Sequence, residues 1–424
     1  MAPSAVSQDV DLTAAAISTK EVQQPTTPNG VDSLAPLLAS NLTYTYTTSP
    51  RSVPDEAVAN AGTETICTDH MITASWTASA GWAAPELKPY GPLSIMPTAS
   101  VLHYATECFE GLKVFRGFDG KLRVFRPDKN AARFRMSAAR ISLPVFEPEE
   151  MEKLILALLA VDGPKWLPKE KAGQYLYIRP TMIGTAPQLG VAAPREALMY
   201  ILVTYLPKLD SPPGGMRLHT SPEDMIRAWV GGFGYAKVGA NYGPSLMATF
   251  DARRRGFHQV LWLYGPNGEC TEAGASNFFV VWKRKDGKKE LVTAPLDDKL
   301  ILDGVNRRSV LDLARERLAG ELEVTERKYT IQELIEADAE GRILESFASG
   351  TAVSTPPSGS RTLLIRQYFI CPISQVHHRG QDINIPMGPE GEPGEITSRV
   401  KGWMADIMYG RVDHKWGVVV NEKE

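Results

Sequence analysis

Several features that would fix a protein's class at once are scarce in this sequence. Its 424 residues hold four cysteines (Cys67, Cys108, Cys270 and Cys371), none spaced as Cys-x-x-Cys. That excludes a disulfide framework, argues against a structural zinc site, and suits a reducing compartment. No apolar run is long enough to cross a bilayer, and the longest, Ala197 to Tyr205, reads as a buried strand. Charge of either sign is barely in excess, with a formal net charge of −3. Neither a nucleic acid nor a membrane is therefore expected as a partner. The seven histidines show no nucleophile–base pairing, and no metal is expected. A basic stretch leading into an apolar one is missing near the start, which argues against secretion. Lys20 is the sole basic residue before Arg51, against Asp9, Asp11, Glu21 and Asp32. A mitochondrial address is usually rich in arginine and poor in acids, so a cytoplasmic location is the expectation.

Two domains are expected from the length, at roughly 150 residues each, and the alternation of strand and helix signals predicts a mixed α/β or α+β fold. Residues 1–60 are rich in Ser, Thr, Ala and Pro without sustained periodicity and read as a disordered tail. A first, smaller domain is expected over 65–205. Within it Leu122–Phe125 is strand-like, and Pro148-Glu149-Glu150 opens a helix whose Leu154, Ile155, Leu158 and Leu159 form an apolar stripe. The run from Pro207 to Gly215 is dense in Pro and Gly and reads as a linker, taken as 206–216. A larger domain follows over 217–424. Strands are expected at Gln259–Tyr264 and Asn277–Trp282, and helices after Gly304 and around Ile396, Val400, Trp403 and Ile407.

Lys237 is the candidate for chemistry. It lies in the glycine-rich stretch Gly231 to Gly243, among residues that pack or turn, where an idle ammonium is unfavourable. Lysine in such surroundings is the usual nucleophile toward a carbonyl cofactor. Pyridoxal 5′-phosphate would make three further demands, and each has a candidate. Its ring nitrogen needs a carboxylate, which Glu272 offers. Its phenolate oxygen needs a donor, and Tyr242 lies five residues beyond the lysine. Its phosphate needs an arginine and a helix start or a nest of amides, as at Val305-Asn306 or Gly350-Thr351-Ala352.

The order of blocks then becomes informative. Leu102-His103-Tyr104, Phe109 to Lys113, Tyr177 to Thr181, Lys237 to Ser245, Thr271 to Asn277, Gly304 to Ser309 and Ser349 to Ala352 occur in this sequence at long, specific spacings. Together they closely resemble the branched-chain amino acid aminotransferases, pyridoxal-phosphate enzymes of fold type IV, from about residue 65 onward. The resemblance implies two domains with the cofactor at their interface and Lys237 as both Schiff-base lysine and proton-transfer base. It assigns Glu272 to the ring nitrogen and Tyr242 to the phenolate oxygen. Arg133, the amides of Val305 and Asn306, and Thr351 would hold the phosphate, while the amides of Thr351 and Ala352 would receive the substrate α-carboxylate. Phe109, Tyr177 and Arg179 would line the side-chain pocket, with Arg179 taking glutamate's second carboxylate. Tyr104, Leu189 and Val191 match positions that reach into a partner subunit's site, which implies a homodimer. The implied reaction is ping-pong transfer of the amino group of leucine, isoleucine or valine to 2-oxoglutarate.

Two departures from the family pattern stand out. Ala275 and Ser276 replace a threonine and a longer side chain common among relatives, loosening support around the cofactor ring. Residues 354–371 have no counterpart between the Gly-Thr-Ala turn and the strand expected at Pro372-Ile373-Ser374. This insert reads as a surface loop, an added lid or translated intron sequence. A D-amino-acid aminotransferase, an aminodeoxychorismate-type lyase and a non-catalytic paralogue impaired by the insert are the competing readings.

Overall fold

The computed structural model describes residues 34–55, 65–205, 212, 214–351 and 369–423. Ala35 to Glu424 form one compact unit built on two sheets. The eleven-stranded sheet runs in the order Thr43–Tyr44, Glu86–Pro89, His70–Thr77, Glu196–Tyr205, Tyr175–Gly184, Leu112–Arg116, Leu122–Phe125 and Gly417–Val419, with three short strands paired alongside. Glu196–Tyr205 alternates buried and half-buried residues over most of its length, the period-2 signature of a strand covered on one face. That cover is the helix pair Pro127–Arg140 and Pro148–Trp166. Leu154, Ile155, Leu158 and Leu159 of the longer helix are all 1% exposed or less and pack with Leu112, Val114, Ile178 and Ile201 of the sheet.

The nine-stranded sheet closes on itself. Six of its strands form the ring, in the order Glu269–Ala273, Gln259–Tyr264, Met216–Thr220, Ile370–His378, Ile343–Ser349 and Ser276–Lys283, with the first pairing back onto the sixth. Lys289–Thr293, Glu323–Glu326 and Gln381–Asn384 extend the sheet. Met216, Leu218, Leu261, Phe278, Val280, Cys371 and Ile373 fill the interior of this small barrel. The helices Val305–Arg317 and Glu395–Met408 pack outside it with Phe279 and Phe347.

The structure corrects the expected boundaries in three places. Residues 35–55 belong to the ordered unit rather than to a free tail. Thr43 and Tyr44 pair with Glu86 and Leu87, Leu37 is 2% exposed, and the Ala39 amide donates to Glu150 Oε2 at 2.6 Å. The segment is held by backbone and side-chain partners elsewhere in the chain, a kind of order that leaves no periodicity to read. At the other end, Gly417–Val419 completes the first sheet beside Leu122–Phe125, so the C-terminus returns to the N-terminal half. Finally, Met216 opens a barrel strand instead of closing a linker, and Ile370 and Cys371 pair with Ser349 and Ala348 instead of belonging to an insert. Residues 352–368, most of the expected insert and Ala352 with it, lie outside the described residues, as do 206–211 of the linker.

Candidate active site

Lys237 is carried by the barrel half of the chain and clamped to the other half. Its backbone amide donates to Ser137 Oγ at 2.8 Å, and its carbonyl accepts from the Phe109 amide at 3.1 Å. The loop is held from within by Asn241, whose Nδ2 donates to the carbonyls of Phe233 and Ala236. The Lys237 Nζ then donates to Tyr242 Oη at 2.8 Å and stands 4.5 Å from the centre of the Phe109 ring. Backbone fixation at both ends leaves the amine few places to go, which is what a positioned nucleophile needs.

Glu272 reaches this centre through a β-bulge. Cys270 pairs with Leu263 and Ala273 pairs with Leu261, so three steps on one strand face two on the other. Cys270 and Ala273 both point into the barrel, and the extra residue turns Glu272 outward, beside Asn277. There its carboxylate is 2% exposed. Oε1 accepts from the Leu302 amide at 3.1 Å and from Asn277 Nδ2 at 3.2 Å. Oε2 lies 2.9 Å from Arg227 Nη1 as an ion pair, and among the described residues it accepts no hydrogen bond. Burial pushes the carboxyl above its ordinary pKa. The Arg227 guanidinium, the Leu302 amide and the charges of Lys237 and Arg133 pull it back in part.

Arg133 projects from the helix Pro127–Arg140 into the same space. Nε and Nη2 grip the two oxygens of Glu110 at 2.7 and 2.9 Å, and Nη1 donates to the Asp303 carbonyl at 2.8 Å. A guanidinium carries five N–H donors, so two remain for an incoming anion. Beside it the helix Val305–Arg317 begins with no side chain capping its first amides. Asn306 Nδ2 donates to the Gly350 carbonyl at 2.9 Å and ties this helix start to the turn that carries Thr351. Ser349 Oγ is buried next to that turn with no hydrogen-bond partner among the described residues. Replacing Arg133 by Leu is expected to leave Glu110, 0% exposed, as an uncompensated buried charge. A loss of about 3–5 kcal/mol in denaturant unfolding should follow.

Phe109, Tyr177 and Arg179 lie together in the structure. Arg179 lies 4.7 Å over the Phe109 ring and donates from Nη2 to Tyr177 Oη at 2.8 Å. The Tyr177 hydroxyl sits directly above Gly111, where any Cβ would overlap it, so glycine is the residue that lets the phenol lie there. Tyr104, Leu189 and Val191 are not part of this group. They lie on an exposed rim, 39%, 60% and 87% accessible, with the Tyr104 hydroxyl on the Leu189 carbonyl. Ala352 is outside the described residues.

Sequence reasoning overlooked two charged residues here, Arg227 and Glu110. Arg227 stands alone between Met225-Ile226 and Ala228-Trp229-Val230, and a single cation inside an apolar run is a signal of burial against an acid. Glu110 adjoins Phe109 within a block already singled out, and its carboxylate takes Arg133, Asn130 Nδ2 and the Gly111 amide.

These features define a pyridoxal-phosphate type of site: a clamped lysine, a buried carboxylate oxygen lacking a donor, and an arginine beside an uncapped helix start. The residues fit that group. The amino-transferase class IV family model matches residues 107–340. The mitochondrial branched-chain-amino-acid aminotransferase of Saccharomyces cerevisiae is 44% identical over 391 residues, 91% of this chain and 94% of that one. The cytosolic branched-chain-amino-acid aminotransferase of Mus musculus is 43% identical over 369 residues, 86% of this chain and 88% of that one. Among solved structures, the branched-chain aminotransferase of Thermoproteus uzoniensis with norvaline superposes at a TM-score of 0.60 with 24% identity, covering 84% of this chain and all of that one. The holo form of the Thermobaculum terrenum enzyme superposes at 0.61 with 22% identity, over 83% of this chain and 98% of that one. The chain belongs to the class IV aminotransferases, and within them to the branched-chain-amino-acid aminotransferases.

Proposed function

We propose that this protein transfers the amino group of L-leucine, L-isoleucine or L-valine to 2-oxoglutarate in two half-reactions, with pyridoxal 5′-phosphate as cofactor. When bound, the cofactor supplies an electrophilic carbonyl and a ring that delocalises the electrons left when the substrate Cα–H breaks. The protein's own residues supply the rest. Lys237 Nζ, steadied by Tyr242 Oη, would take the proton from the substrate Cα and deliver it to the carbon of the cofactor's carbonyl. Glu272 would accept the N–H of the cofactor ring, with Arg227 favouring the charged form of that carboxylate. Arg133, Thr351 and the amides of Val305 and Asn306 would hold the phosphate, and the amides of Thr351 and Ala352 would hold the α-carboxylate. Phe109 and Tyr177 offer an apolar wall to an aliphatic side chain, and Arg179 offers a cation to an acidic one. The observation that carries this reading is the Lys237–Tyr242 hydrogen bond next to a buried carboxylate oxygen that lacks a donor. The test is a substrate panel. L-leucine, L-isoleucine and L-valine should form glutamate from 2-oxoglutarate, and turnover of D-alanine in their place would overturn the reading.

The exposed Tyr104, Leu189 and Val191 support a homodimer in which this rim meets a second copy, since such residues are unfavourable in water. Sedimentation should give twice the chain mass for the wild type and the single mass for Val191→Lys. A wild type that stays monomeric at micromolar concentration would contradict the assignment. The acids before Arg51 support a cytosolic location.

A further inference from the structure

Ser349 carries a hydroxyl for which the fold alone has no use. It ends the strand Ile343–Ser349 and is 1% exposed, and its Oγ has no hydrogen-bond partner among the described residues. Its backbone is fixed from both sides, opposite Asn277 in one neighbouring strand and Ile370 in the other. A buried hydroxyl without a partner opposes folding, and alanine would fill the same place without that cost. Serine is accounted for there if a bound group completes the hydrogen bond.

The strand says where this hydroxyl faces. Side chains alternate along it, so that Ala348 turns into the barrel and Phe347 turns out, packing with Val310 of the helix Val305–Arg317. Ser349 shares the outer face with Phe347 and with its register partner Asn277, the residue that also pairs with Glu272. Along that face it lies beyond Phe347, at the end where the helix begins. Two bonds place it there. Asn277 Nδ2 donates to the Leu302 carbonyl at 2.9 Å, and Asn306 Nδ2 donates to the Gly350 carbonyl at 2.9 Å. The Asn277 side-chain oxygen also lies against Gly304, where any Cβ would overlap it. Ser349 is thus enclosed between the segment 302–306 and Gly350, and Arg133 borders the same segment through the Asp303 carbonyl.

The group that fits between these elements is an anion. The helix offers first amides that no side chain caps, its dipole favours negative charge, and Arg133 brings a cation. A hydroxyl donor beside them adds a short bond to a charged oxygen. We propose that Ser349 is a further cofactor-binding residue, whose hydroxyl donates to the cofactor's phosphate beside Arg133 and the amides of Val305 and Asn306. This inference rests on the cofactor reading given above and deepens it. Because Ser349 stands within a strand paired on both sides, this part of the phosphate grip does not depend on the residues beyond Thr351.

The test compares wild type and Ser349→Ala, each loaded with pyridoxal 5′-phosphate or with pyridoxal, which lacks the phosphate. Dissociation of each is followed by the visible spectrum. Ser349→Ala should hold pyridoxal 5′-phosphate about tenfold or more weakly, the scale of one hydrogen bond to a charged group, and pyridoxal within about twofold of wild type. Without cofactor it should resist denaturant at least as well as wild type, because it removes a buried hydroxyl that had no partner. A merely structural role for Ser349 predicts the reverse, a weaker fold and equal losses with both compounds. Equal losses, or an unchanged affinity for pyridoxal 5′-phosphate, would overturn the proposal. A wild type that holds pyridoxal as tightly as pyridoxal 5′-phosphate would instead overturn the phosphate site itself, and this inference with it.

Discussion

Lys237→Ala is expected to fold, to retain the phosphate and ring contacts, and to lose turnover by at least about 10⁴-fold. The size follows from the two roles that one amine holds. It anchors the reacting carbonyl at a fixed position, and it carries the proton between substrate and cofactor. A positioned general base alone contributes about 10²–10⁴-fold, and loss of covalent anchoring adds to it. Stability should change little, because the amine is half-buried and its partner Tyr242 Oη can turn to water. The measurement is single-turnover conversion of L-leucine by both proteins, with unfolding curves run beside it. If the alanine variant kept a tenth of wild-type turnover, Lys237 would not be the residue that carries the chemistry.

Glu272 gives the second large effect, and there two quantities separate. Glu272→Gln keeps the shape and the contacts to Leu302 and Asn277 but removes the charge that a cationic ring nitrogen needs. Its kcat should fall by about 10²–10³-fold, the scale set by removing one preorganised electrostatic partner. Glu272→Ala should suffer the same catalytic loss and unfold about 3–5 kcal/mol more easily, because the Arg227 side chain, 9% exposed, loses its counter-charge. Pairing Glu272→Ala with Arg227→Met should restore much of the stability and none of the activity. Recovery of activity in that double variant would show that the carboxylate serves folding alone.

Much of this site was legible in the sequence because its chemistry forces residue types at fixed positions. The structure brings together the lysine among glycines and the phenol five residues past it, with the acid of Thr271-Glu272-Ala273 within electrostatic reach. Illegible were the features that depend on pairing between distant strands. Glu272 faces the site only because two residues, Thr271 and Glu272, oppose the single Trp262, and nothing in Glu269–Ala273 announces a bulge. The closure of the barrel depends on register alone. The partners of Arg133 and Glu272 were missed because Glu110 and Arg227 are ordinary charged residues until burial makes them pairs. The segment 35–55 was misread for a related reason: the Ala39 and Arg51 amides are held by the carboxylates of Glu150 and Asp69, later in the chain. Where a single residue such as Lys237 had to be of one type, the sequence could be read. Where order came from contacts across the fold, it could not.

The claim that this lysine, carboxylate and arginine together run an amino-group transfer is tested most directly by one spectrum. The purified protein loaded with pyridoxal 5′-phosphate should show a visible band that L-leucine bleaches and 2-oxoglutarate restores, with both responses absent in Lys237→Ala. A band that L-leucine leaves unchanged in the wild type would contradict the account.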